Sequence, residues 1–221
     1  LIIGAGCTGV MTARLLSEYN CSVAVADMAS DVAAGATAAN SAIVHAGYDA
    51  KSGTLKAKLN VRGNRLMKKL AAQLGVELKN VGSHVIGFGD SDLVHLKELY
   101  KRGVDNGVEG LEIISGDKLR EMEPNVSAKA TASLWAPTAA ITCPYGITIA
   151  AAENAATNGV HFYLNFKVTD ASSAGDVHYV TDGVNTIAAK YVVNCAGVHS
   201  VEVAKILGEN SYEYRSEEHT S

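Results

Sequence analysis

The chain has 221 residues, of which 48% are hydrophobic and 19% are charged, and its formal net charge at pH 7 is −4. This composition is typical of a soluble globular protein, and the length suffices for one large domain or two small ones. Because the charge provides no basic surface for a phosphate backbone, we expect no nucleic acid partner. No apolar run approaches the roughly 20 residues that cross a bilayer, so we expect no integral membrane segment.

The spacing of cysteines and histidines argues against several kinds of site. The four cysteines, Cys7, Cys21, Cys143 and Cys195, are scattered and form no CxxC pair, which favours free thiols in a reducing compartment. The seven histidines show no metal-ligand spacing, and no GxSxG nucleophile motif is present. We therefore predict no metal site and no serine or cysteine nucleophile.

The first elements form a strand, a glycine-rich turn, a helix and a second strand. Leu1–Ile3 is a short apolar strand, and the glycine-rich turn after it leads into a helix that runs to about Tyr19. The run Ser22–Ala26 predicts a second strand, which ends at Asp27. Two strands joined in this way through a helix are expected to lie parallel, with a right-handed crossover.

After a loop over residues 29–41, an amphipathic helix is predicted from about Thr54 to Leu74. Leucines recur at helical spacing on its apolar face, at Leu55, Leu59, Leu66, Leu70 and Leu74. Its other face is basic and is expected to be solvated, with Lys56, Lys58, Arg62, Arg65, Lys68 and Lys69.

The rest of the chain alternates strands and helices and then becomes rich in strands. The predicted helices are Ser91–Asp105, a short helix capped by Ser115 that ends before Pro124, Pro144 to Asn158 closed by Gly159, and Val201–Leu207. The predicted strands are Ser83–Phe88, Leu111–Ile114, Thr131–Trp135, Val160–Leu164, Lys167–Ala171, Val177–Thr181, Thr186–Ala189 and Tyr191–Asn194. The last residues, 215–221, read RSEEHTS and differ in character from the rest, so we predict a non-native tail there.

The glycine-rich turn matches the dinucleotide-binding pattern GxGxxG. Gly4 would make the tight turn, Gly6 would let a pyrophosphate approach the backbone, and Gly9 would let the helix pack closely on the strand. Asp27 ends the next strand 18 residues beyond Gly9 and would accept hydrogen bonds from the adenosine ribose. An acid at this position is compatible with FAD or NAD and disfavours NADP.

Four stretches, taken together, resemble a known family. They are LIIGAGCTGVMTARLLSEY with its acid at Asp27, then Gly35–Asp49, Cys143–Asp170 and Tyr191–Ser200. In order and spacing they are similar to the N-terminal part of FAD-dependent oxidoreductases of the D-amino-acid-oxidase/glycine-oxidase type (the DAO family). Within that family they look most like the glycerol-3-phosphate dehydrogenase-like and L-2-hydroxyglutarate oxidase-like members.

The resemblance implies an α/β fold and an FAD cofactor. A Rossmann-like FAD/NAD(P)-binding domain would comprise residues 1–48 and 143–214. An inserted α+β substrate domain would take residues 49–142, and the fold would be incomplete at its C-terminus. The implied cofactor-binding residues are Gly4, Gly6, Gly9, Asp27, Thr37, Asn40, Ser41, Val168, Ala196 and Gly197.

Some of these residues have an ordinary structural alternative. The side chains of Thr37, Asn40 and Ser41 can cap their own loop instead of binding phosphate or flavin. Val168 can be a core valine that also contacts adenine through its main chain. The segment Asn194–Gly197 can be a plain strand-to-helix turn.

His45 is the candidate catalytic residue, because the resemblance places its stretch beside the isoalloxazine ring. A histidine there can accept a hydroxyl proton or orient the substrate as hydride leaves for flavin N5. The alternative is a histidine that only hydrogen-bonds the cofactor or the backbone.

The implied activity is oxidation of a small hydroxy acid or polyol phosphate, with electrons passing from FAD to a separate acceptor (a quinone, oxygen or a redox protein). Glycerol-3-phosphate dehydrogenase-like chemistry is preferred. The enzymatic alternatives are L-2-hydroxyglutarate oxidation and amino-acid or amine oxidation. The non-enzymatic alternative is a flavin-binding module that is inactive as a fragment. The expected location is the cytoplasm, or the membrane periphery as in relatives that feed quinones.

Overall fold

The computed structural model describes residues 1–211, so the predicted tail at 215–221 lies outside the described residues. The helices are α1 (Cys7–Leu16), α2 (Leu55–Gln73), α3 (Asp90–Asp105), α4 (Gly116–Met122), α5 (Pro144–Thr157) and α6 (Ser200–Ile206). The strands are β1 (Ile2–Ile3), β2 (Ala24–Ala26), β3 (Ile43–Val44), β4 (Leu78–Lys79), β5 (Ser83–Gly87), β6 (Glu112–Ser115), β7 (Ala132–Ala136), β8 (Ala140–Thr142), β9 (His161–Tyr163), β10 (Asp170–Ala174), β11 (Val177–Thr181), β12 (Thr186–Ala189) and β13 (Val193–Asn194).

The chain forms two compact units, and the first of them is discontinuous. Unit 1 comprises Leu1–Ser41 and the chain from Pro144 onward, and unit 2 comprises Ala42–Cys143. The sequence-based boundary at 48/49 differs from this division, because β3 pairs antiparallel with β8 and so joins residues 43–44 to unit 2. The second division, at 143/144, differs from the predicted one by a single residue.

Unit 1 contains the predicted strand–helix–strand arrangement. Its four-stranded sheet has the order β13-β1-β2-β9, and all three pairings are parallel, which confirms the prediction for β1 and β2. Helices α1 and α5 pack against each other. A three-stranded antiparallel sheet, β10-β11-β12, completes the unit. An apolar cluster joins the two sheets and α6 through Ile3, Ala26, Phe166, Val168, Val180 and Val203.

Unit 2 contains two three-stranded antiparallel sheets and helices α2, α3 and α4. One sheet has the order β5-β7-β6 and packs against α3 and α4. The other has the order β3-β8-β4 and was not predicted, because its strands are only two or three residues long. Helix α4 begins as predicted, since the Ser115 side chain accepts a hydrogen bond from the Lys118 amide.

Helix α2 has its predicted extent, but most of its leucines do not lie on the side that is buried. The Thr54 side chain caps it by accepting a hydrogen bond from the Ala57 amide at 3.2 Å. The residues that it buries are Ala57, Val61, Asn64 and Ala71, whereas Leu55, Leu59 and Leu66 are exposed. Three of the five leucines on the predicted apolar face are therefore exposed, and smaller residues form the buried side of α2.

The strand predicted at Lys167–Ala171 begins later, at Asp170. Asp170 pairs with Thr181 at the start of the β10–β11 ladder. Just before it, the Phe166 amide donates to the Asp27 carbonyl at 2.8 Å, which holds this part of the chain against the end of β2. Residues 166–168, of which Phe166 and Val168 are buried, thus line the cavity of unit 1 instead of forming a strand.

Candidate functional site

The glycine loop in unit 1 leaves no room for side chains at two of its glycines. Gly4 has φ +107°, which favours glycine, and a Cβ there would overlap the Cys195 carbonyl. A Cβ at Gly9 would overlap the Gly4 carbonyl, so α1 packs against β1 as closely as the motif predicts. At Gly6 a Cβ would stand 3.2 Å from the Thr37 hydroxyl. The loop therefore forms a tight turn with an accessible backbone at the N-terminus of α1.

The Asp27 carboxylate is bonded to the glycine loop itself. The Ala5 amide donates to its Oδ2 at 2.6 Å, and the Ala29 amide donates to its Oδ1 at 2.8 Å. A carboxylate offers about four acceptor positions, so both oxygens retain capacity for ribose hydroxyls. Asp27 thus ties the ends of β1 and β2 together and still presents acceptors to the site.

The loop after β2 approaches the start of α1 through one side chain. The Cys7 amide donates to the Thr37 hydroxyl at 3.0 Å, so Thr37 lies at the N-terminal end of α1. Asn40 instead donates to the Thr37 carbonyl at 2.8 Å, which is the local capping that the sequence left open. Neither Asn40 nor Ser41 lines the cavity described below, and their predicted contact with a cofactor stays a prediction.

Val168 lies in the wall of the site with an available main chain. Its side chain is buried in the apolar cluster of unit 1 that also contains Phe166, Val180 and Val203. Among the described residues no hydrogen bond is made by its backbone amide, whereas the neighbouring Thr169 amide donates to the Thr181 carbonyl at 2.9 Å. Both interpretations of Val168 are therefore compatible: the side chain is in the core, and the amide is free to bind an adenine edge.

The turn after β13 is shaped by the Asn194 side chain. Its Oδ1 accepts from the Ala196 amide at 3.1 Å, and its Nδ2 donates to the Ser200 carbonyl at 2.7 Å. Gly197 then takes φ +56°, with open space where a Cβ would stand. Asn194 was not predicted as a site residue, although an amide side chain directly after an apolar strand is the signal that indicates such a cap.

These segments converge on one cavity of about 630 Å³ within unit 1. Its walls are formed by Ile3, by Gly4, Gly6, Cys7 and Thr8 of the glycine loop, by residues 26–29, 34–37, 166–168 and 195–199, and by Glu202, Val203 and Ile206 of α6. Seven of the ten predicted cofactor residues line it, namely Gly4, Gly6, Asp27, Thr37, Val168, Ala196 and Gly197. Gly9 acts from behind the wall through the packing of α1.

Charged and sulfur-containing side chains at the cavity are few. Burial raises the pKa of the Cys195 thiol, an effect that a hydrogen bond with Thr12 partly offsets. At the start of α6, His199 Nδ1 lies 3.5 Å from Glu202 Oε2, and both side chains are about half exposed. The other polar side chains in the lining are Asp27, Lys167 and the threonines Thr8 and Thr37.

His45, the predicted catalytic residue, lies in unit 2 directly after β3, and its side chain is exposed. Its backbone carbonyl accepts a hydrogen bond from Asn64 Nδ2 at 3.1 Å, and the same amide donates to the Thr138 carbonyl at 2.9 Å. Asn64 is 6% exposed and holds this segment on α2. Asn64 was not predicted as a residue of the site. A polar residue on the buried side of a helix is the sequence signal that could have indicated its role.

Comparison with known proteins gives a consistent family assignment. A family model described as DAO, FAD dependent oxidoreductase, matches residues 1–216. A glycerol 3-phosphate dehydrogenase from Caloramator mitchellensis is 44% identical over 212 residues, covering 96% of this chain and 44% of that protein. A mitochondrial L-2-hydroxyglutarate dehydrogenase from Pongo abelii is 28% identical over 222 residues, covering 94% of this chain and 52% of that protein.

A solved structure shares the fold. The dithionite-reduced L-alpha-glycerophosphate oxidase from Mycoplasma pneumoniae, with FAD bound, matches with a TM-score of 0.88 and 25% identity. The match covers 93% of this chain and 55% of that one. The chain thus spans about half the length of the relatives that it matches. Within residues 1–211, no helix combines the length and the apolar character needed to cross a membrane.

Proposed function

The chain belongs to the family of FAD-dependent oxidoreductases, and on that premise we propose that its unit 1 cavity binds FAD. The residues present fit this cofactor. The glycine loop excludes side chains where a pyrophosphate would lie, and the first amides of α1 carry the positive end of the helix dipole. Thr37 supports the same end of the cavity through its hydrogen bond with the Cys7 amide.

The adenosine half of the cofactor is assigned to the other end. The Asp27 carboxylate would accept the ribose hydroxyls with the lone pairs that Ala5 and Ala29 leave available. The Val168 amide would donate to the adenine edge, with Phe166 beneath it in the core. The small residues Ala196 and Gly197 would let the main chain approach the flavin half, in the turn that Asn194 holds.

We further propose that the whole protein oxidises a small hydroxy acid or polyol phosphate, with glycerol 3-phosphate as the first candidate. The observation that carries this choice is the 44% identity, over 96% of the chain, to a glycerol 3-phosphate dehydrogenase. The relatives named for L-2-hydroxyglutarate are 28% identical and provide the second candidate. When bound, FAD supplies a two-electron acceptor for this reaction, and the protein supplies binding and orientation.

Unit 2 is proposed as part of the substrate domain, with His45 as its reactive side chain. Asn64 anchors the backbone at His45, so the imidazole is carried on a fixed segment while its ring remains accessible. In this role His45 takes the proton of the substrate hydroxyl or orients the substrate. The electrons would then pass to a separate acceptor (a quinone, oxygen or a redox protein), in the cytoplasm or at the membrane periphery.

The test uses the purified full-length protein. We expect a flavin absorbance spectrum that is lost when FAD is removed and restored when it is added back. With a dye as electron acceptor, we expect turnover with glycerol 3-phosphate to exceed turnover with L-2-hydroxyglutarate. A protein without any flavin spectrum would contradict the cofactor assignment, whereas bound FAD with no turnover on either substrate would contradict only the substrate assignment.

A further inference from the structure

Helix α2 is apolar on two opposite sides. At about 100° per residue, Leu55, Leu59 and Leu66 lie within about 40° of one another around the helix axis. They define the leucine stripe. The buried residues of α2, namely Ala57, Val61, Asn64 and Ala71, lie on the opposite side. The side chains of the stripe are 68%, 50% and 53% exposed in chain order.

The contacts of the buried side prevent α2 from turning the leucine stripe inward. Val61 packs in a cluster with Ala46, Val108, Ala136 and Ala139 of unit 2. Asn64 Nδ2 lies 3.1 Å from the His45 carbonyl and 2.9 Å from the Thr138 carbonyl, so a rotation of α2 would leave a buried amide without partners. The contacts of Val61 and Asn64 therefore fix the orientation of α2, and this orientation leaves the leucine stripe exposed.

The residues around the leucine stripe give it a charged border. Helix α2 contains no aspartate or glutamate, and Lys58, Arg62 and Lys69 lie along one side of the stripe. Arg65, further round, is already paired with Glu109 at 2.8 Å. Within residues 1–211, no ion pair is formed by Lys58, Arg62 or Lys69. Three exposed leucines beside these cations form a surface that an apolar partner with an acidic border would match.

The relatives contain a second half of polypeptide that this chain does not match, and such a segment can cover the leucine stripe. The match with the glycerol 3-phosphate dehydrogenase covers 96% of this chain but only 44% of that protein. The match with the glycerophosphate oxidase covers 93% of this chain but only 55% of that one. We infer that the leucine stripe of α2 is the docking surface for that second half of the polypeptide, which covers it with apolar side chains bordered by carboxylates facing Lys58, Arg62 and Lys69. The inference does not depend on the cofactor, because the stripe lies in unit 2 and the FAD cavity lies in unit 1.

The test measures whether the stripe is accessible in the full-length protein. Leu59→Cys and Leu66→Cys variants are labelled with a maleimide, and peptide mass spectrometry separates these sites from the native cysteines. The matched control is Leu15→Cys, since Leu15 of α1 is 54% exposed, as the stripe residues are. Each labelling rate is divided by the rate at the same position in the unfolded protein. After this correction, we expect labelling at positions 59 and 66 to be roughly 100-fold slower than at position 15.

Radical footprinting of the unsubstituted protein gives the same comparison on native Leu59, Leu66 and Leu15, so the result does not depend on how the variants fold. Equal reactivity at the three leucines would overturn the inference. Protection that disappears when the protein is diluted would show a second copy on the stripe, and protection that appears only with anionic vesicles would show a lipid surface. Either result would also overturn it. Protection that is independent of dilution, vesicles and FAD supports it.

Discussion

At the scale of single residues, Asp27 has a structural role and a proposed ligand-binding role, and the sequence motif predicts only the second. Its carboxylate accepts the Ala5 amide of the glycine loop at 2.6 Å, and it also faces the cavity. We predict that Asp27→Ala lowers the stability of the FAD-free protein by about 1–3 kcal/mol, because a part-buried backbone amide loses its acceptor. FAD affinity should fall as well, since the ribose acceptors are removed.

The measurements are the free energy of unfolding without FAD and the FAD dissociation constant from flavin fluorescence. Asp176→Ala is the control, because Asp176 is an exposed acid in the β10–β11 turn, away from the cavity. It should leave both quantities unchanged. If Asp27→Ala weakened FAD binding but left the FAD-free protein as stable as wild type, the bond to Ala5 would have no structural role.

Gly9 tests the packing of α1 against β1. A Cβ at this position would overlap the Gly4 carbonyl, which belongs to rigid backbone and cannot move aside cheaply. We therefore predict that Gly9→Ala lowers Tm and abolishes FAD binding. Leu15→Ala on the exposed side of the same helix should change stability by no more than about 0.5 kcal/mol. A Gly9→Ala protein with wild-type Tm and FAD affinity would disprove the packing argument.

At the scale of elements, most helices and strands could be predicted from the sequence, because their periodicity and caps agree. The exceptions have physical causes. The β3-β8-β4 sheet is held by tertiary pairing between strands too short to show alternation. The strand predicted at Lys167–Ala171 begins only at Asp170, because the hydrogen bond from the Phe166 amide to the Asp27 carbonyl holds the residues before it at the cavity.

The same limit applies to the site. Local patterns predicted the glycine loop and Asp27, whereas Asn194 and Asn64 act on backbone carbonyls and amides whose positions only the fold determines. In α2, periodicity identified the leucine face and the basic face, but it did not identify the side with Ala57, Val61, Asn64 and Ala71 that packs within unit 2. The small residues Ala57 and Ala71 allow close packing there, and the larger leucines are left outside.

In the sheet β5-β7-β6, His84 makes the stability of unit 2 depend on pH. Its Nδ1 lies 3.0 Å from the buried Ser133 hydroxyl, its ring stacks on Trp135, and its buried Nε2 has no hydrogen-bond partner among the described residues. Burial lowers the pKa of the His84 imidazole below its ordinary value of 6.5, and the charge of Glu123 partly offsets this shift. Protonation would add a second N–H donor that has no acceptor.

The sign of the pH effect follows from proton binding. Because the pKa of His84 is lower in the folded state, the unfolded chain binds more protons once the pH falls below about 6.5, so stability decreases with falling pH. We predict that Tm declines less steeply between pH 7.5 and 5.5 in His84→Gln than in wild type. His95→Gln, at an exposed histidine of α3, should keep the wild-type slope. Identical slopes in all three proteins would show that His84 does not carry the effect.

At the scale of the whole molecule, unit 1 is built from two chain segments that more than 100 residues separate. Strand β1 lies between β2 from the first segment and β13 from the second, so the central sheet forms only when both are in place. The cavity is lined by the same two segments, with Asp27 from the first and Val168 from the second. A ligand in this cavity must therefore stabilise both segments together.

Hydrogen exchange on the full-length protein can measure this coupling. With free FAD at about 100 times its dissociation constant, a ligand that binds only the folded state adds about 2.7 kcal/mol, which slows exchange through unfolding of unit 1 by about 100-fold. We expect this slowing in β1, β2 and β13 alike, and not in β5, β6 and β7 of unit 2. Slowing confined to one segment would contradict a single site built from both.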